Sequence, residues 1–240
     1  MQAVELADKL TLYMKNAQIG RRIPPKGKVM NIEYDNYKRL QGERREVIVR
    51  WFKCAWNKRN PKASTSFDPF FRCWVSFNAW AACVTNMYCD RGIIECLKTD
   101  STLSLGFEKL RAKDESFKKI ANAFQKNWPI FDVRELNRLN IQPQGLDKRC
   151  DVVKYYVERG ATEYVPKIPG KESLVGDAIE LNWPHTIEAL YRVRCNLFHG
   201  HKNPELEADQ EMVGTAFRVL VNFFKYCLEA PEAFERLGNE

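Results

Sequence analysis

Apolar residues recur along this chain mostly at three- and four-residue steps, the spacing that lines one side of a helix. Val4, Leu6, Ala7, Leu10, Tyr13, Met14 and Ala17 predict a short amphipathic helix over 2–17 that stops near Gly20. The stretch from Arg21 and Arg22 to Lys28 holds Pro24 and Pro25; each proline removes a backbone donor and keeps its predecessor extended, which predicts a basic loop. A second helix is expected from Asp35 to about Asn57 on Tyr37, Leu40, Val47, Ile48, Trp51, Phe52 and Ala55, with Arg39, Arg44, Arg45, Arg50 and Lys53 on its exposed face. The polar, proline-broken run 57–64 is the best boundary between an extension and the main core.

Residues 67–97 are the most apolar part of the chain, with Phe70, Trp74, Phe77, Ala81 and Val84 at helical spacing, and they predict a central core helix. Asp68 followed by Pro69 makes a good start for it, because Asp accepts from orphan amides and Pro fits a first turn. Asn78, inside this helix, requires a hydrogen-bond partner if buried. Charged helical segments over 107–140 break at Trp128-Pro129, and 141–176 is richer in Pro and Gly. A helix is expected to begin after Val175, restart near Pro184 with His185 in its opening turn, and end where Gly200 supplies a left-handed cap. A last helix from about Ala208 to Leu228 carries Val213, Phe217, Leu220, Phe224 and Cys227 along one stripe. With no repeat, no glycine-rich phosphate loop and no strand–helix alternation, the expected class is all-α: a basic N-terminal helical extension over 1–62, packed on the core or partly separate, and a helical domain over 63–240.

Composition narrows the class of protein. A chain of 240 residues with 45% hydrophobic and 12% aromatic content can bury a firm core. The net charge of +7 is concentrated at the front, where residues 1–63 hold 15 Lys/Arg against 6 Asp/Glu and the rest hold 23 against 25. Such a block attracts polyanions, RNA or DNA among them, although an acidic protein or a solvated face would account for it equally well. The opening residues lack the apolar core and cleavage site of a signal peptide, and no apolar run approaches the roughly 18 residues of a membrane span. The expectation is a cytoplasmic chain with reduced thiols and no membrane partner. The 8 cysteines contain no Cys-x-x-Cys pair and histidines number only 3, which argues against a structural zinc site. Cys73, Cys83 and Cys227 read as small hydrophobic core residues.

One segment stands apart in its chemistry. Between Tyr191 and Lys202 the chain gathers Arg192, Arg194, Asn196, His199, His201 and Lys202. Imidazole exchanges protons near neutral pH, and guanidinium presents a planar fork to two phosphate oxygens, so the grouping suits attack of a ribose 2′-hydroxyl on its own phosphodiester without a metal. The same grouping also fits a solvated helix end. At about 100° per residue Arg192, Asn196 and His199 share a face, whereas Arg194 points away in an unbroken helix, so either arginine remains a candidate.

The run Arg194-Cys195-Asn196-Leu197-Phe198-His199-Gly200 resembles the signature of HEPN domains, an arginine followed after four to six residues by a histidine. Trp74-Val75-Ser76-Phe77-Asn78-Ala79-Trp80 resembles the aromatic-Asn helix of several HEPN-like families, Apea-like and abortive-infection proteins among them. The resemblance covers roughly 67–228 and implies an up-and-down helical bundle that dimerises and cuts single-stranded RNA in a composite cleft, with neither metal nor cofactor. Carried over by position, His199 becomes the acid/base residue, Arg194 or Arg192 the phosphate-binding one, and Asn196 a further member of the catalytic group. His201, Lys202, Arg21, Arg22, Arg44 and Arg45 are the candidates for holding RNA. A toxin or antiviral role, with an antitoxin or defence-system partner, goes with that activity in the family.

Overall fold

The computed structural model describes residues 31–60, 62, 65–138, 149–159 and 181–237, and within them every regular element is a helix. The expected helix over 2–17, the basic loop with Arg21 and Arg22, and the helix start after Val175 lie outside the described residues. In chain order the helices are α1 (Tyr34–Arg39), α2 (Glu43–Trp56), α3 (Phe67–Thr85), α4 (Asp90–Thr99), α5 (Ser101–Lys113), α6 (Glu115–Gln125), α7 (Val133–Arg138), α8 (Arg149–Glu158), α9 (Trp183–Phe198), α10 (Glu207–Cys227) and α11 (Glu232–Arg236). None of the described helices is long and apolar enough to cross a membrane.

Two of the expected helices are divided. The segment read as continuous from Asp35 to Asn57 breaks at Leu40–Gly42, where Gly42 takes a φ of 65° that an L residue adopts only under strain. The segment read as continuous over 67–97 stops at Asn86, whose left-handed conformation (φ 53°) turns the chain into α4. Its start also lies slightly earlier than the Asp68-Pro69 pair indicates: Ser66 is the N-cap, and Asp68 instead binds Arg72 and Lys58 from within the first turn. Asn78 is half-buried on this helix.

α3 and α10 form the centre of the bundle. Phe77 and Trp80 of α3 meet Phe224 of α10 with ring centroids 5.3 and 5.7 Å apart, and Phe52 of α2 closes on the same ring at 5.4 Å. A second aromatic knot, Phe107, Trp183 and Phe223, ties α5, α9 and α10 together. Its one polar atom is satisfied, since Trp183 Nε1 donates to the carbonyl of Leu97 at 2.7 Å. The described part of the basic extension is packed on this core: Tyr37, Ile48 and Ala55 are buried in the same cluster, and Ser76 Oγ donates to the carbonyl of Ile48 at 2.6 Å. Tyr34 donates to Asp100 at 2.6 Å, and burial followed by that carboxylate holds its phenol far above the ordinary tyrosine range. Cys73 and Cys227 are buried, which pushes their thiols up, and they pack as apolar groups; Cys83 is half-buried.

α11 docks on α5 because Gly106 leaves room for a ring. A Cβ there would stand 2.4 Å from the side chain of Phe234, which is itself buried against Phe223 at 5.5 Å. Gly106→Ala is expected to displace α11 and lower stability by about 1–3 kcal/mol, the usual cost of overpacking, as read from the chemical-denaturation midpoint; an unchanged midpoint would show that Phe234 yields freely.

Candidate functional site

The polar segment of the sequence is the C-terminal half of α9 and the turn after it. The helix begins with Asn182 as its N-cap, the side-chain oxygen accepting from the backbone N–H of His185, with Pro184 in the first turn. It ends in a Schellman arrangement: Gly200 N–H donates to Leu197 O at 3.1 Å and His201 N–H to Asn196 O at 2.8 Å, while Gly200 takes a φ of 72°. His199 is the C-cap, and the helical ladder is unbroken up to it, because His199 N–H still donates to Cys195 O at 3.0 Å. The four residues of interest on the helix are therefore distributed by ordinary helical geometry.

Arg192 and Asn196 face the segment between α6 and α7. Asn196 is buried and both polar atoms of its amide are engaged: Nδ2 donates to Phe131 O at 2.9 Å and Oδ1 accepts from Val133 N–H at 3.2 Å. These two bonds present Asp132, lying between those residues, to the guanidinium of Arg192, with which it forms a close ion pair. His199, at the helix end, is exposed. Its ring lies 6.4 Å, centroid to centroid, from that of half-buried His201. Lys202 is mostly covered and bonded to Asp209 at 2.6 Å; the second oxygen of Asp209 accepts from the backbone N–H of Asn203 at 2.9 Å, so the turn carrying the two imidazoles is pinned to the start of α10.

Arg194 lies on the other side. It pairs with Asp90 at the start of α4 at 2.9 Å, and its guanidinium lies over the ring of Phe198 at 4.4 Å and near that of Trp74 at 6.0 Å. Nearer the start of the helix, Glu188 is buried and bonded to Lys98 at 3.1 Å and Arg91 at 2.6 Å, which fastens α9 to α4. Tyr191 stands near Cys195; burial first, then the thiol, push its phenol up to about 12. The stability carried by this neutral phenol is complete below about pH 10, the ordinary tyrosine value, and is lost as the pH climbs towards 12.

Of the residues singled out from sequence, Arg192 and Asn196 meet the 131–133 segment, His199 and His201 lie together in the turn, Lys202 is tied to Asp209, and Arg194 pairs with Asp90 on α4. Arg44 and Arg45 are exposed at the start of α2; Arg45 lies over Tyr37 at 5.5 Å, and Tyr37 sits by the C-terminal end of α3, where Asn36 reaches the carbonyl of Cys83. Phe198 instead stacks on Phe71 near the other end of α3. Twelve residues of helix, about 18 Å at 1.5 Å per residue, separate the two places, so these arginines do not border His199. Arg21 and Arg22 lie outside the described residues. The carboxylates Asp90, Asp132 and Asp209 were not legible as partners, because nothing local marks them; Phe198 stood inside the motif, but its contact with Phe71 depends on the fold. No family model, curated protein or solved structure matches this chain.

Asn196→Ala removes both bonds to the 131–133 segment and leaves a buried carbonyl and N–H without partners. The expected loss is about 2–3 kcal/mol in denaturant unfolding, with faster amide exchange at Val133 than in the parent; unchanged exchange there would show that the segment is held by other contacts.

Proposed function

We propose that the chain is a metal-independent endoribonuclease of the HEPN type that cleaves single-stranded RNA at the C-terminal end of α9. The observation that carries this reading is the pair of imidazoles, His199 exposed and His201 with its ring centroid 6.4 Å away, at the end of the helix that carries Arg192.

In this reaction an imidazole accepts the 2′-hydroxyl proton while that oxygen bonds to phosphorus. The bond from phosphorus to the 5′-oxygen breaks, and the departing oxygen takes a proton from a protonated imidazole or from water, leaving a 2′,3′-cyclic phosphate and a 5′-hydroxyl. His199, the more open of the two rings, takes the acid/base role, and His201 and Lys202 border the phosphate. Arg192 is the phosphate-binding arginine within one chain, its guanidinium oriented by Asp132 and ultimately by the bonds of Asn196. Arg194 reaches a scissile phosphate only from a second copy in a two-fold pair. A toxin or antiviral defence role in the cytoplasm is the setting that suits such an activity.

A second reading, a non-catalytic HEPN-like module that binds RNA or a protein partner, is favoured by a different observation. Each motif cation has its own carboxylate, Arg192 with Asp132, Arg194 with Asp90 and Lys202 with Asp209. Charges so neutralised serve structure first and phosphate second.

Incubation with total RNA in EDTA separates the two readings. The catalytic reading expects cleavage by the parent chain, a loss of about 100-fold or more in His199→Ala, the usual contribution of a positioned acid or base, and a larger loss in Arg192→Ala than in Arg194→Ala, with folding checked by circular dichroism. Cleavage lost in Arg194→Ala and kept in Arg192→Ala would reverse the choice of arginine. Binding without cleavage across a broad set of RNAs would move the chain to the second reading.

A further inference from the structure

Beside His199, the surface carries an aromatic run that the chemistry above does not use. Phe198, the residue before His199, is 43% exposed, and Phe71 of α3 is 40% exposed; large apolar side chains in a bundle with this much core rarely stay so open in contact with one another. Their rings stack with centroids 5.4 Å apart and planes 22° from parallel. Trp51 of α2 meets Phe71 edge-on at 6.3 Å and 76°, forming a wall. Guanidinium groups bracket the run: Arg194 lies over Phe198 at 4.4 Å and Arg72 over Trp51 at 5.7 Å. Neither cation is loose, since Asp90 holds Arg194 at 2.9 Å and Asp68 accepts from Arg72 Nε at 2.8 and 2.9 Å.

We propose that the Phe71–Phe198 stack is a platform for an unpaired base of single-stranded RNA, which stacks on the face of Phe71 turned from Phe198, since Arg194 covers Phe198 and Trp51 meets Phe71 only edge-on, and whose strand continues to the His199 turn. The proposal rests on the RNA-cleavage reading of that turn and names how its substrate is held. Every base has a π face, so rings and guanidinium planes bind bases without regard to sequence. The surroundings have the charge for a polyanion: residues 50–62, the run that carries Trp51, hold five Lys/Arg and no Asp or Glu. The platform also gives Arg194 its work. Held by Asp90, it polarises the ring of Phe198 rather than binding the scissile phosphate, which leaves that task to Arg192.

The test uses a short 2′-O-methylated oligouridine carrying one 2-aminopurine, whose blocked 2′-oxygen separates binding from cleavage. The expected result is quenching of the 2-aminopurine on binding to the full chain, and about tenfold or weaker affinity in Phe71→Leu/Phe198→Leu with an unchanged dependence on salt, because stacking is lost and phosphate contacts are not. Phe198→Trp keeps both affinity and quenching, a rescue that a purely structural role would not give. Equal affinity of the parent and the double leucine variant overturns the platform. So does a parent dimer that the double variant converts to monomer with RNA binding intact, which assigns the face to a second copy of the chain. Cleavage of unmodified RNA without quenching of the probe overturns the platform and leaves the chemistry of His199 standing. Quenching without cleavage of any RNA does the reverse.

Discussion

The continuity of the α9 backbone ladder is the constraint from which the arrangement of the site follows. Because the helix stays regular to Phe198 and closes in one defined cap at His199–Gly200, its polar side chains cannot converge freely. Arg192 and Asn196 are committed to the 131–133 segment, and Arg194 and Glu188 to α4. The helix is thus clasped on both sides by charge-assisted contacts, and what remains open to solvent is the turn that carries the imidazoles. A helix that loosened before His199 could have brought Arg194 round; the cap geometry rules out that loosening in this conformation.

These clasps differ in what they cost and give. The pair of Glu188 with Lys98 is buried on both sides, and breaking such a pair by removing one member typically costs about 3–5 kcal/mol because the other is left charged in a dry site. Replacing both members by apolar residues of similar volume is often neutral, so the pair sets where α9 sits against α4 more than it adds net stability. Arg192 and Arg194 are each partly accessible, with 16% and 21% of the side chain exposed. Their carboxylates orient them, and the Nε of each is buried without a hydrogen-bond partner among the described residues. Aromatic packing supplies the rigid frame behind them, since the rings of Phe77, Trp80 and Phe224 fix α3 and α10, and Trp74 and Phe71 of α3 carry that rigidity to Arg194 and Phe198.

The helical class and the position of most elements are local properties and were legible in the sequence. The apolar stripe of α10, Pro184 in the first turn of α9 and Gly200 beyond its end each act within a few residues. Two helix breaks escaped notice because they rest on single residues in the left-handed region, Gly42 and Asn86, inside stretches whose apolar spacing continues across them. At the site, the common side of Arg192 and Asn196 was legible, since that needs only the helical repeat. Their partners were not legible. Local spacing would offer Glu188 to Arg192, one turn apart, but the fold pairs Glu188 with Lys98 and Arg91 and brings Asp132 to Arg192. Long-range pairing of charges and rings is a property of how helices pack, and neither periodicity nor composition encodes it.

If the imidazoles at the end of α9 transfer protons around a single phosphodiester, the bond that breaks determines which product end keeps the phosphate. Mass spectrometry of the fragments formed from a defined single-stranded RNA in EDTA reads this directly. The account predicts 2′,3′-cyclic phosphate on one fragment and a 5′-hydroxyl on the other, both absent when His199 is alanine. Fragments ending in 3′-hydroxyl and 5′-phosphate, or the same cyclic ends from the alanine variant at the parent rate, would contradict it.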